Sequence, residues 1–284
     1  MNQPVGELNT KNHDRDAAGL TYVYPVVSRR AGGVSVGINL NPNNACNWHC
    51  AYCQVPNLTR GSAPKINLMQ LTDELNRMLD DILVGSFMQL HVPEDARKLC
   101  DIAISGNGEP TSCGNFDIIV QTIVAVMKEK DLNIPLRLIT NGSYIRKTKV
   151  QNGLRIMASH HGELWIKVDA ATGAAIRRIN GISLDNKQLF DQVATAAKLC
   201  PSWIQTCMMA WDGKDPDEKE VSAYLNFLRR LKQEHVPVRG VLLYGLARPS
   251  MQPEAVHVSA LGHEWMNRMV AYIEEIGWKV KLSL

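Results

Sequence analysis

The chain has 284 residues, 45% of them hydrophobic, and 31 Lys and Arg against 28 Asp and Glu give a formal net charge of +3. That supplies ample material for a sizeable core but not the strongly basic domain of many nucleic-acid binders. No apolar run approaches the ~18–20 residues of a membrane helix, and the polar, mixed-charge start is no secretory leader. With an odd total of seven cysteines, the composition predicts a reduced, cytoplasmic protein with no membrane partner. Residues 1–20 read as a poorly ordered extension and residues 21–284 as a single domain. Short basic clusters (Arg29-Arg30; Arg146, Lys147 and Lys149; Arg177-Arg178) read as solvated faces.

In chain order, a first strand is predicted over 34–40, between Gly32-Gly33 and Asn41-Pro42. A helix follows over 69–84, with Leu71, Leu75, Met78, Leu79 and Ile82 at helical spacing. Strands at 102–105, 136–140, 164–168, 203–209 and 238–243 then alternate with helices at 116–130, 149–159, 187–199, 216–231 and 261–276. The 216–231 helix is given Asp215 as its cap, Pro216 in its first turn and Glu218 to complete a capping box. Gly277 ends the last helix, and 278–284 reads as a short extra strand. Six β-then-α units mean a parallel sheet covered by helices, either an open barrel or a doubly wound sheet.

Cys46, Cys50 and Cys53 follow the first strand in a C-x3-C-x2-C run. A structural zinc site takes four protein ligands, and so does a cluster that only carries electrons; three thiolates would leave one iron of a cube open. The loop lies beyond the carboxyl end of a strand, where such folds carry their chemistry. Zinc held by the three cysteines with His49, or an unliganded cysteine-rich loop, are the alternatives.

Later strand ends add further groups. Residues 105–110 hold Gly106, Gly108 and Glu109, glycines that admit a ligand to the backbone beside a carboxylate suited to a cation. Asn141 sits in the next turn, which a structural role explains equally well. Lys167 and Asp169, two apart at the fourth strand, point the same way, toward the lumen, where charges need partners or a ligand. Cys100, Cys113, Cys200 and Cys207 are dispersed and read as buried thiols, with Cys113 closest to the functional face. Trp203, Met208 and Met209 read as core.

The cysteine loop, with Tyr52 before its third cysteine, resembles the signature of the radical S-adenosylmethionine (radical SAM) superfamily. Residues 106–110 resemble that superfamily's SAM amino-group motif. The likeness runs over about 34–248 and implies a partial (β/α)6 TIM-type barrel. It implies a 4Fe-4S cluster on Cys46, Cys50 and Cys53, with S-adenosyl-L-methionine on the fourth iron. It further implies reductive cleavage to a 5′-deoxyadenosyl radical that abstracts hydrogen from a substrate. Gly106, Gly108 and Glu109 would receive the methionyl amino group, Tyr52 would lie near the adenine, and Asn141, Lys167 and Asp169 would meet ribose and carboxylate. A flavodoxin- or ferredoxin-like electron donor is implied as partner. Residues 105–110, 167–172 and 247–255 are most similar to the wyosine tRNA synthase branch, implying a tRNA substrate, with a small molecule or peptide as one alternative and a non-catalytic iron–sulfur or zinc-binding protein as the other. Residues 1–45 contain none of the further cysteines that carry the second cluster of the archaeal wyosine enzymes.

Overall fold

The computed structural model describes residues 8, 19–28 and 31–284. Most of the extension expected over 1–20, and the Arg29-Arg30 cluster, lie outside the described residues. Leu8 is buried, and its N–H donates to the carbonyl of His91 at 2.8 Å.

Eight strands form one sheet: β1 (Val23–Ser28), β2 (Gly33–Ile38), β3 (Leu99–Ile104), β4 (Leu136–Thr140), β5 (Glu163–Lys167), β6 (Ser202–Cys207), β7 (Val238–Tyr244) and β8 (Val280–Ser283). They neighbour one another in sequence order. β1 is antiparallel to β2, and every other pairing is parallel. A doubly wound sheet reverses its order at a switch point. This one never reverses, so right-handed crossovers carry all the helices to one face and the sheet curls into a half-barrel. That decides between the two architectures left open by the β/α pattern.

The helices are α1 (Leu68–Leu83), α2 (Phe87–His91), α3 (Phe116–Glu129), α4 (Thr148–Ala158), α5 (Gly173–Asn180), α6 (Asn186–Leu199), α7 (Glu218–Gln233) and α8 (His263–Glu275). Six units follow the expected β-then-α order, from β2 with α1 to β7 with α8. The buried stripe of α1, Leu71, Leu75, Met78, Leu79 and Ile82, is the one its spacing predicts. Among the described residues, no helix is long and apolar enough to cross a membrane.

The structure departs from these expectations in several places, and α2 and α5 are helices that the periodicity does not predict. β1 was not anticipated because Pro25 interrupts its apolar run; a proline is tolerated here because β1 is an edge strand. The cap of α7 is Asp217, whose carboxylate accepts from the N–H of Glu220 at 2.8 Å, rather than Asp215. A tight turn in which Trp211 and Lys214 exchange backbone hydrogen bonds delays the helix by two residues. The strand expected over 203–209 ends at Cys207, and Ala210–Trp211 pairs instead with Val258–Ser259.

Candidate functional site

At the carboxyl end of the half-barrel lies a cavity of about 270 Å³. Its wall includes Cys46, Cys50 and Cys53 from the loop after β2, Gly106, Gly108 and Glu109 after β3, and Asn141 after β4. Tyr52, Lys167 at the end of β5, Gln205 and Cys207 on β6, and Tyr244 on β7 complete that end. Of the residues that the resemblance assigns to the cluster and SAM, all but Asp169 line this one cavity.

The glycines are fixed by contact. Gly106 has φ +142°, and a Cβ there would strike the side chain of Asn39. A Cβ on Gly108 would run into the carbonyl of Ala45, immediately before Cys46. The loop after β3 therefore packs directly on the cysteine loop. Asparagines bind the two together: Asn39 Oδ1 accepts from the N–H groups of Asn41 (3.0 Å) and Asn107 (3.1 Å), and Asn41 Nδ2 donates to the Ala45 carbonyl at 2.9 Å. Asn107 Nδ2 donates to Asn44 Oδ1 at 2.6 Å.

Glu109 is buried and heavily hydrogen-bonded. It accepts from the Asn141 N–H (2.7 Å), Thr140 Oγ1 (2.6 Å), the Thr111 N–H (3.1 Å) and the Thr111 hydroxyl. Burial pushes its carboxyl above the ordinary value, and these bonds only partly offset that. Asn141 in turn donates from Nδ2 to Asn47 Oδ1 at 2.9 Å, tying the β4 turn to the cysteine loop.

Lys167 and Asp169 meet through Tyr52. The Tyr52 hydroxyl donates to Asp169 Oδ2 at 2.5 Å, and Lys167 Nζ donates to the same hydroxyl at 3.0 Å. Asp169 lies beneath the cavity wall, where it also accepts from Asn180 Nδ2 (2.7 Å) and the Cys207 N–H (2.9 Å). Burial would lower the Lys167 pKa, but the acidic groups around it, Tyr244 and Asp169 foremost, raise it on balance, so it stays charged.

The residues present fit an iron–sulfur cluster. Burial pushes the Cys46 thiol up to about 11 and the Cys50 thiol up to about 12, so both stay protonated at neutral pH until a metal displaces the proton. Among the described residues, no three His, Cys, Asp or Glu side chains converge closely enough for a single metal ion. Three cysteine thiols in one cavity wall are a donor set suited to three irons of a cluster. His49, the fourth ligand of the zinc alternative, is not part of the wall; its Nε2 pairs with Glu254 Oε2 at 3.3 Å.

A strap after β7, residues 247–257, closes over the cysteine loop. The Cys53 carbonyl accepts from the Met251 N–H (2.9 Å), Ser250 Oγ (3.2 Å) and Gln252 Nε2 (3.3 Å). Away from the thiols, the cavity floor holds Ser35, Asp101, Arg137 and Trp165. Arg137 pairs with Asp101 and with Glu163, the latter at 2.8 Å. Gln205 Oε1 is buried without a hydrogen-bond partner among the described residues, a free acceptor in the wall.

Sequence reasoning missed Asn39, Asn41, Asn180, Gln205, Tyr244 and the facing of Cys207. Five asparagines between 39 and 47 were a legible signal beside the cysteines. Cys113 does not line the cavity; its thiol donates to Asn115 Oδ1 at 3.1 Å.

No family model matches the chain. A segment of 132 residues is 28% identical to a protein named GTPase Obg of Brachyspira hyodysenteriae, covering 46% of this chain and 17% of that protein. Another of 156 residues is 29% identical to UPF0026 protein MJ1312 of Methanocaldococcus jannaschii, covering 55% and 42%. The match thus spans less than half the length of either curated relative. Among solved structures, a radical SAM methyltransferase from Sphaerobacter thermophilus aligns with a TM-score of 0.60 at 13% identity, over 92% of this chain and 68% of that one. SuiB of Streptococcus suis bound to S-adenosylmethionine gives 0.53 at 12%, over 89% and 47%. A spore photoproduct lyase mutant with bound AdoMet and dinucleoside spore photoproduct gives 0.54 at 11%, over 87% and 75%. At these identities the likeness is one of architecture, and the chain has the partial-barrel fold of the radical SAM enzymes.

Proposed function

We propose that this chain is a radical SAM enzyme, with Cys46, Cys50 and Cys53 holding a 4Fe-4S cluster and S-adenosyl-L-methionine on its open iron. The observation that carries the proposal is the meeting of all three thiols with Gly106, Gly108 and Glu109 in one cavity, on successive strand ends of the half-barrel. When bound, the cluster and SAM supply reductive carbon–sulfur cleavage and a 5′-deoxyadenosyl radical.

The chain's own residues bind, orient and shield. Gly106 and Gly108 leave the backbone bare beside the cysteine loop, and Glu109 offers a fixed acceptor for the methionyl ammonium. Asn141 and Lys167 stand in the wall to meet the ribose and the carboxylate. Asp169, expected from the sequence among those contacts, instead holds Tyr52 in place. The strap over Cys53 limits access of water and oxygen to the metal site. A small acidic donor of the flavodoxin or ferredoxin class supplies the electron.

The substrate we propose is a small molecule, or a single residue of a larger one, carrying a hydrogen-bond donor for Gln205. The concave floor and the pairing of two of the surface cations favour this over a broad tRNA contact: Arg178 pairs with Glu220 at 2.8 Å, and Arg146 with Asp191 at 3.4 Å. Affinity for tRNA that fell steeply with salt would reverse that choice.

Anaerobic reconstitution with iron and sulfide analysis tests the metal assignment. The expected result is about four irons per chain with visible thiolate-to-iron absorbance, both lost in Cys50→Ala. Stoichiometric zinc and a colourless protein would overturn it.

A further inference from the structure

Asn180 is the last residue of α5 and is fully buried. It lies 130 positions from Cys50, yet its Nδ2 donates to Cys50 Sγ at 3.4 Å. The same nitrogen donates to Asp169 Oδ2 at 2.7 Å. An amide can be built either way round, and here the neighbour decides. Asp169 also accepts from the Tyr52 hydroxyl and the Cys207 N–H, and a carboxylate only accepts, so the NH₂ end of Asn180 must face it. One N–H is then spent on Asp169, and the second is directed at the sulfur.

The backbone fixes this amide. The Asn180 carbonyl accepts from the His49 N–H at 3.0 Å, and the Ile179 carbonyl accepts from the Ala51 N–H at 2.7 Å. Gly181 ends α5 with φ +64°, and a Cβ there would press on the His49 carbonyl. The end of α5 thus grips the backbone on both sides of Cys50 while its side chain reaches the thiol. No comparable side-chain donor to Cys46 or Cys53 appears among the described hydrogen bonds.

We propose that Asn180 is a positioning residue that sets the reduction potential of the cluster through an N–H···S hydrogen bond to Cys50. The inference rests on the cluster assignment made above. A hydrogen bond to a ligating sulfur withdraws electron density from it and favours the reduced, more negative state of the cluster. Asp169 and Tyr52 act behind it by fixing the direction of the amide.

The test is an anaerobic potentiometric titration of the reconstituted protein without SAM, followed by electron paramagnetic resonance. It compares the parent with Asn180→Leu, which keeps the volume and removes the donor. The midpoint of Asn180→Leu is expected at a more negative potential, and the exchangeable-proton coupling to the reduced cluster, read in H₂O against D₂O, is expected to lose one component. If Asn180→Leu does not fold, Asn180→Ser, too short to span Asp169 and Cys50 together, replaces it with the same expected shift. Unchanged midpoint and coupling in a variant that holds its four irons would overturn the role of Asn180. A parent protein that takes up no cluster would overturn the cluster assignment instead.

Discussion

At the residue scale, the site is built from contacts that leave no slack. Gly108 is the sharpest case, because the atom its Cβ would meet is backbone, the Ala45 carbonyl, which has nowhere to swing. Gly108→Ala is expected to lower stability by roughly 1–3 kcal/mol through overpacking, and to displace the loop that presents Cys46. Urea unfolding measures the first effect and iron uptake the second; a variant with parental midpoint and full iron content would show that the two loops do not need this contact. The cysteines and glycines were legible in sequence because each carries its chemistry in a local run. Asn180 and Gln205 were not, since an amide is informative only once its partners, here Asp169 and Cys50 or an empty cavity wall, are known.

At the element scale, periodicity located nearly every strand and helix that carries the site. The failures have specific causes. β1 hides behind Pro25 and α5 is only eight residues long, too short for a periodic signal, although Thr172 and Gly181 mark its ends as N-cap and left-handed C-cap. The start of α7 was misplaced because Asp215 and Asp217 are equally good caps by type, and only the turn at 211–214 separates them. Asp217→Ala is expected to cost about 1 kcal/mol in thermal or urea unfolding, with Asp215→Ala close to neutral. The reverse order would restore the cap read from the sequence.

At the scale of the whole molecule, the sequential strand order makes every strand end contribute to one mouth, which is why residues from 46 to 244 meet in a single cavity. The floor of the half-barrel is held by charge. Burial alone would raise the Glu163 carboxyl, but Arg137, with the indole N–H groups of Trp165 and Trp203, outweighs it and holds the carboxyl below its ordinary value of 4.5. A depressed acid contributes stability above its unfolded value and loses it as pH falls through the folded one. Thermal stability is therefore expected to drop below about pH 4.5, and Glu163→Gln to lessen that dependence. Glu109, raised by burial, contributes with the opposite sign, so the difference between parent and Glu163→Gln is the quantity to measure. An unaltered acid limb in the variant would remove Glu163 from the account.

On the proposed function, the three thiols and the glycine–glutamate loop form one site for a cluster and SAM. The decisive measurement incubates the reconstituted, dithionite-reduced protein with S-adenosyl-L-methionine under anaerobic conditions and assays for 5′-deoxyadenosine. The expected result is 5′-deoxyadenosine and methionine in equal amounts from the parent and neither from Cys50→Ala. A protein that holds its four irons, stays reduced and forms no 5′-deoxyadenosine would contradict the claim.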